Sequence, residues 1–197
     1  MTTRRARRRR RRWLALAAGA AVVGLAAGLL VATGTFDRAL QELTLPLRHE
    51  DIIRQQAHEK GVDPALIAAV IYSESRFRDQ TSTAGARGLM QITPAAASEI
   101  ERLSGGTTFK LADLSDPEIN IRYGTFLLRE LLDRYEGDEV AALAAYNAGP
   151  ANADRWGGTG LKLDEIPFEE TRGYVAEVLD KQREYRQTYP QELGYGR

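Results

Sequence analysis

The N-terminal segment of the chain differs in its polarity pattern from everything that follows. Residues 4–12 read RRARRRRRR, and residues 13–33 then run for 21 positions without a charged side chain. A helix of that length spans about 31 Å at about 1.5 Å per residue, which matches the hydrocarbon core of a bilayer. Because positive flanks stay in the cytoplasm, the pattern predicts a basic cytoplasmic tail over 1–12, one transmembrane helix over 13–36 and a body outside the cytoplasm.

A cleaved export signal is the alternative interpretation of this segment. Secretory signals have apolar regions of about 7–15 residues and a small-residue cleavage site. Residues 31–33, VAT, offer a poor site, so the apolar length favours an uncleaved single-pass anchor in the cell membrane. The arginines before Trp13 also fit a twin-arginine export route. All of these interpretations place the body on the same side, joined to the segment by a short connector over 37–48.

The body is patterned as helices separated by polar turns. Three helix starts combine a capping side chain with proline at the first helical position: Asp63-Pro64, Thr93-Pro94 and Asp116-Pro117. Residues 78–93 break the helical periodicity with glycine, serine and threonine, and no long strand pattern occurs. We predict an all-α (α-dominant, α+β lysozyme-like) fold, with one compact helical domain over 49–190, a minor β element and a C-terminal tail over 191–197.

Composition and charge exclude several classes of function. The 27 basic and 27 acidic side chains cancel, but eight arginines and no acid fall within residues 1–36. The body is therefore acidic, which argues against nucleic-acid binding. The absence of cysteine excludes disulfides, thiolate metal sites and a cysteine nucleophile, and the two histidines, His49 and His58, are too few for a histidine-rich metal centre. We expect neither a metal nor a cofactor.

One carboxylate continues an apolar helical stripe. Ile67, Val70, Ile71 and Glu74 fall on one face of the helix that begins at Pro64. The ordinary alternative is a helix-end glutamate that turns outward. A glutamate on the apolar face would have a raised pKa, because desolvation disfavours the carboxylate. A protonated acid near neutral pH can serve as a general acid, and cleavage of glycosidic bonds is one reaction that needs it.

Four spaced motifs support this interpretation, and together they cover about residues 50–185. They are Glu74-Ser75 with Ser82 and the run 85–91 (GARGLMQ); Pro117, Asn120-Ile121 and Gly124; the run 144–149 (AAYNAG); and the run 166–175 (IPFEETRGYV). In this order they resemble the motifs of the soluble-lytic-transglycosylase-like (SLT) domain of the lysozyme-like superfamily. The sequence departs from the family at Thr83-Ala84, where Pro-Val is often found.

The resemblance implies non-hydrolytic cleavage of the β-1,4 bond between N-acetylmuramic acid and N-acetylglucosamine in peptidoglycan, which leaves a 1,6-anhydro-muramic acid end. Glu74 would first donate a proton and then accept one. Tyr174 is expected to pack in the core. The resemblance also implies substrate-binding or supporting roles for seven further residues. Ser75 and Ser82 would orient the sugar or the acid, Gln91 would bind substrate, and Met90 would offer an apolar contact. Tyr146 would bond Glu74 or the acetamido group, Asn147 would shape the loop, and Glu170 would pair with Arg172 or line the cleft.

Two other functions remain open on the sequence alone. One is a lysozyme-type muramidase, which would hydrolyse the same bond. The other is a non-catalytic glycan-binding module of the cell wall, although such a module has no need of a buried acid. The expected partners are peptidoglycan glycan strands, the membrane through the N-terminal helix and, as further candidates, the cell-wall synthesis or division machinery.

Overall fold

The structure is a computed structural model that describes residues 35–105 and 110–196, together with the isolated positions 16, 23, 24 and 28. The chain divides into two compact units, 1–45 and 46–197. In the first unit, helix α1 covers Thr35–Thr44. The basic tail over 1–12 lies outside the described residues, as does most of the segment predicted to cross a membrane. No helix in the described part of the chain has the length and apolar character needed to cross a bilayer.

The second unit consists of helices joined by turns, as predicted. Its α-helices are α2 (Glu50–Lys60), α3 (Pro64–Ser75), α4 (Pro94–Ser104), α5 (Pro117–Arg134), α6 (Glu139–Ala148), α7 (Pro150–Trp156) and α8 (Glu169–Thr188). Short 3₁₀ helices precede α5 (Leu111–Ser115) and α8 (Leu163–Glu165).

The three predicted capping side chains all act as N-caps. Asp63 accepts a hydrogen bond from the Ala65 amide at 3.0 Å. Thr93 and Asp116 make equivalent bonds at the starts of α4 and α5. Each satisfies a backbone amide that the helix itself leaves unpaired, and each precedes a proline that needs no such partner. The local sequence therefore fixes where these helices begin.

Helix α3 runs through the centre of the unit. Its residues 65–72 are all buried, so the helix is enclosed on every side rather than amphipathic. It packs most extensively on α8, and α2 also contacts it. Helix α6 packs on α5, α7 and α8. The predicted acid, Glu74, thus lies at the end of the most buried helix of the domain.

Residues 76–93 form an irregular loop after α3. Within the described residues there is no strand, and the predicted β element is limited to two isolated antiparallel bridges, Thr81–Arg87 and Arg87–Ile92. Asn120, on α5, holds the loop from behind: its Nδ2 donates to the Arg87 and Leu114 carbonyls at 2.9 and 3.0 Å, and its Oδ1 accepts from the Met90 amide at 2.8 Å.

Two glycines allow α5 and the loop to approach this closely. Gly88 has φ +74°, and a Cβ there would overlap the Asn120 side chain and the Leu114 carbonyl. A Cβ on Gly124 would overlap the side chain of Met90. Both positions exclude any larger residue unless the loop moves.

The C-terminal residues, predicted as a tail over 191–197, fold back onto the domain. Leu193 is buried, and the Tyr195 hydroxyl contacts the Asp63 carboxylate. Arg54, on α2, donates to the Glu192 carbonyl. A surface cavity of about 630 Å³ lies between α2 and this turn. Its lining does not include Glu74, so this cavity is separate from the candidate site.

Candidate active site

The carboxyl of Glu74 is half-buried in the last turn of α3. The helix ends one residue later because Arg76 adopts the left-handed conformation, with φ 52°. Burial raises the pKa of Glu74 from 4.5 to about 7, since the charged form loses solvation. The predicted rise in pKa is confirmed, and the alternative of an outward-turned glutamate is wrong. Near neutral pH this carboxyl can both give and take a proton.

Two tyrosines lie beside Glu74. Tyr146 comes from the end of α6 and Tyr174 from the second turn of α8. Burial, and then the negative charge of Glu74, raise the pKa of both phenols well above the ordinary value of 10. Both therefore stay neutral, and the acid faces hydroxyl groups rather than a second charge.

The two hydroxyls differ in their partners. Tyr146 Oη donates to the Met90 carbonyl at 2.9 Å, so it holds the loop rather than the acid. Tyr174 Oη acts on Glu74 directly and offsets part of the rise in its pKa. Their contact is looser than a regular hydrogen bond, since Tyr174 Oη is a buried atom without a well-formed partner in the described residues. The Tyr174 hydroxyl is therefore buried, as expected of core packing, and in addition acts on the candidate acid.

Gln91 has a backbone conformation that side chains rarely adopt, with φ 48°. Its Nε2 donates to the Gly88 and Gln80 carbonyls at 2.7 and 3.1 Å, which closes the loop on itself. Its Oε1 accepts no hydrogen bond from the described residues and can accept one from a ligand. The side chain of Met90, in contrast, is fully buried against Gly124. The expected contact between Met90 and the sugar is not available; Met90 supports the loop from behind.

The two candidate serines face the backbone. Ser75 Oγ is buried and donates to the Leu89 carbonyl at 2.7 Å, which ties the end of α3 to the loop. Ser82 Oγ accepts from the Ala86 amide at 3.1 Å and stabilises a turn in that loop. Ser75 therefore positions the elements of the site, whereas the half-buried Ser82 retains a hydroxyl proton that it can donate.

The end of α6 is joined to the first turn of α8. Asn147 Oδ1 accepts a hydrogen bond from Thr171 Oγ1 at 2.8 Å, while the rest of the Asn147 side chain is exposed. Glu170 is exposed and makes no ion pair with Arg172 within the described residues. Arg172 instead donates to the Ile166 carbonyl at 2.9 Å. Of the two expectations for Glu170, the ion pair is wrong.

Tyr174 is the site residue that the pattern of the sequence does not reveal. A tyrosine among apolar positions of a long helix more often packs in the core than takes part in a site. The sequence signal that could have identified Tyr174 is its place within the motif run 166–175. Its approach to Glu74 depends on the packing of α8 on α3, which only the structure shows. Within the described ranges, no three His, Asp or Glu side chains lie together as a potential metal site.

Comparison with known proteins places this arrangement in a family. Residues 51–167 match the model of the Transglycosylase SLT domain. The chain belongs to this family. The SLT domain here is 32% identical over 154 residues to the soluble lytic murein transglycosylase of Escherichia coli K12, with 74% of this chain and 24% of that protein covered. The chain thus spans about a quarter of the length of this relative.

Solved structures and a membrane-bound relative are also similar. The lytic transglycosylase Slt of Pseudomonas aeruginosa, solved as an inactive Glu-to-Gln mutant, has a TM-score of 0.71 and 33% identity; 76% of this chain and 26% of that chain are covered. Membrane-bound lytic murein transglycosylase C of Sodalis glossinidius is 29% identical over 170 residues, which cover 68% of this chain and 46% of that protein. The resemblance inferred from the motifs is confirmed, as is the helix-dominated SLT fold.

Proposed function

We propose that this protein is a peptidoglycan lytic transglycosylase that cleaves the β-1,4 bond between N-acetylmuramic acid and N-acetylglucosamine. The observation that carries the proposal is Glu74 itself: a half-buried carboxyl, with a pKa of about 7, near two neutral phenols. Membership of the SLT family supports it, as do relatives named lytic murein transglycosylases.

The chemistry requires one protein group to act twice. Protonated Glu74 gives its proton to the glycosidic oxygen as the bond from the muramic C1 to that oxygen breaks. The substrate acetamido oxygen stabilises the cationic centre at C1. The 6-hydroxyl oxygen of the same sugar then attacks C1, and its proton returns to Glu74. No water is consumed, the product carries an anhydro end, and Glu74 is restored in its protonated form.

The surroundings of Glu74 favour this route over that of a two-carboxylate glycosidase. Retaining enzymes place a second carboxyl about 5 Å from the acid. No second carboxylate perturbs the pKa of Glu74, whose influences are burial and Tyr174. Asp79, five residues later, is exposed, and Glu170 is exposed as well. Among the described residues the site thus offers one acid and no second carboxylate as nucleophile, and in this proposal the 6-hydroxyl of the substrate takes that role.

The remaining site residues have binding or positioning roles in this proposal. Gln91 Oε1, the Ser82 hydroxyl and Asn147 Nδ2 are the groups free to bond sugar hydroxyls or amides. Glu170 lines the cleft one helical turn before Tyr174. The residues that position the site from behind are Ser75, Met90 and Tyr146.

The test is product analysis on purified sacculi. The parent protein should release muropeptides with anhydro ends, and Glu74→Gln, which keeps the shape of the side chain, should release none. Asp79→Asn is the matched control, because it removes an exposed carboxylate close in sequence, and it should retain activity. An active Glu74→Gln variant would refute the assignment. Products heavier by one water, with reducing ends, would instead identify a hydrolase.

We also propose that residues 13–33 anchor the protein in the cell membrane, with the SLT domain on the outer side where peptidoglycan lies. The support is the uncharged run of 21 residues behind eight arginines, together with relatives named as membrane-bound. The full chain should stay in the membrane pellet after alkaline carbonate extraction and keep its first residues on N-terminal sequencing. A chain that starts near residue 34 would instead indicate a cleaved signal.

A further inference from the structure

Two aromatic rings, those of Trp156 and Phe168, pack against each other at the surface of the domain. Trp156 ends α7, and Phe168 immediately precedes α8. Their ring centroids are 5.0 Å apart, with an interplanar angle of 74°, the edge-to-face arrangement that aromatic pairs prefer. Phe168 is nevertheless 51% exposed. Burial in the core therefore explains only part of this pair.

Among the aromatic side chains that the structure describes, Phe168 and Tyr195 are the most exposed. Tyr195 has a structural explanation, since its hydroxyl bonds to Asp63 and accepts from the Ala65 amide. Phe168 has no polar group that needs a partner. An exposed phenyl ring held rigid by a second ring is a surface suited to an apolar face of a ligand.

The pair is built on the same elements as the candidate site. Helix α7 follows α6, which carries Tyr146, after a single glycine. Phe168 precedes Tyr174 by six residues, which is about 9 Å along the axis of α8. Thr171, which stands between Phe168 and Tyr174 in the chain, donates a hydrogen bond to Asn147. This bond joins the start of α8 to the end of α6. The rings are therefore carried by elements that are joined directly to those of the site.

Exposed polar side chains occur on α7 and on the preceding helix, α6. Arg155 precedes Trp156 in the chain, is exposed and forms no ion pair within the described residues. Asn147, near the end of α6, is exposed as well. A pyranose ring has an apolar face of C–H groups and a rim of hydroxyl and acetamido groups. An aromatic surface with donors at its edge matches both parts of such a ligand.

We infer that Trp156 and Phe168 form a sugar-binding platform that holds an N-acetylhexosamine ring of the glycan strand away from the bond that is cleaved. The inference rests on the proposed function, which places a glycan strand along this surface. Because the two rings offer neither an acid nor a base, the platform binds the strand and takes no part in the chemistry. It contributes to binding of long strands, and it is expected to affect KM rather than kcat.

The sequence offers a direct probe, because the chain contains only two tryptophans, Trp13 and Trp156. In the full chain with Trp13→Phe, all tryptophan fluorescence reports on the platform. Glu74→Gln is added to prevent turnover. Titration with the hexamer of N-acetylglucosamine should give a saturable change in the intensity or wavelength of Trp156 emission. No change at concentrations where calorimetry detects binding, or no binding at all, would overturn the inference.

Two substitutions of Phe168 separate ring stacking from structural support. Phe168→Leu keeps apolar bulk and removes the ring, whereas Phe168→Ala removes both. Each should raise the Kd for the hexamer about tenfold, equivalent to about 1.4 kcal/mol. Leu103→Ala, at another exposed apolar position, on α4 (41% exposed), is the control and should leave the Kd unchanged. An unchanged Kd in folded Phe168→Leu, checked by circular dichroism, would contradict the inference.

Sacculus digestion distinguishes failure of the platform from failure of the proposed function. With Glu74 intact, Phe168→Leu should raise KM about tenfold and leave kcat unchanged. If the parent protein digests sacculi but Trp156 does not respond to the hexamer, the platform is wrong and the enzyme assignment stands. If Trp156 responds but the parent protein never cleaves sacculi, the protein binds glycan at this surface without being a transglycosylase.

Discussion

The half-buried carboxyl of Glu74 makes the stability of the SLT domain depend on pH in a definite direction. In the unfolded chain this glutamate ionises near its ordinary pKa of 4.5, whereas burial raises its pKa to about 7 in the folded domain. Between these two values the unfolded state releases its proton first, so a rise in pH favours unfolding. Above about pH 7 both states are ionised, and the loss of stability is complete.

The size of the effect follows from the same two values. One pKa unit corresponds to about 1.4 kcal/mol, so the rise from 4.5 to about 7 costs the ionised domain about 3 kcal/mol. Glu74→Gln removes the titration and preserves the shape of the side chain. Relative to the parent, the variant should gain about 2–3 kcal/mol of unfolding free energy between pH 5 and pH 8. Because only the change with pH is compared, any constant effect of the amide cancels.

Urea unfolding at pH 5, 6, 7 and 8 measures this difference, with Trp156 fluorescence as the signal in a Trp13→Phe background. Asp79→Asn is the control: its carboxylate is exposed, so its stability should follow that of the parent across the range. If the gap between Glu74→Gln and the parent is the same at pH 5 and pH 8, the carboxyl is not desolvated. The mechanism would then lack its proton donor.

Three further predictions concern the support of the site. Tyr174→Phe removes a hydroxyl that lowers the pKa of Glu74, so the alkaline limb of the pH profile of kcat/KM should move to higher pH; an unmoved limb would contradict the contact. Gly88→Ala should cost more than about 3 kcal/mol in thermal or urea unfolding, because a Cβ overlaps its neighbours as well as straining φ. Gly61 also has a positive φ (+63°), but an added Cβ there would meet no neighbour, so Gly61→Ala should cost only about 1 kcal/mol of unfolding free energy. If the two alanine variants lose equal stability, backbone strain alone accounts for the loss at Gly88. Asn120→Ala breaks three buried hydrogen bonds and should cost about 3 kcal/mol in the same assay; a loss below 1 kcal/mol would show that the loop does not depend on it.

The sequence predicted features that depend on neighbouring residues. Helix starts at Asp63, Thr93 and Asp116 follow from capping and from proline geometry, which act within a few positions. The raised pKa of Glu74 follows from the helical register of an apolar stripe. The order of the four motifs along the chain is enough to identify the family, because it can be recognised without knowing how the segments pack.

Features that depend on packing between distant segments were not predictable in the same way. Met90 points into the domain because α5 meets the loop at Gly124, and Ser75 does so because the end of α3 bonds the loop at Leu89; no local pattern encodes either contact. Tyr174 reaches Glu74 only because α8 lies along α3. In each case the sequence identifies the residue, and the fold decides the direction of its side chain.

Helix α3, which ends with the acid, is secured at its other end by side chains from α8 and by Tyr195. Asp63, which begins α3, is contacted by Gln182 and Arg186 from α8 and by Tyr195. A fragment trimmed to the span matched by the family model, 51–167, would forfeit both this bracing and Tyr174. Variants that lack these contacts are therefore expected to lose the proposed activity partly through the far end of α3, in addition to any loss caused directly by the absence of Tyr174.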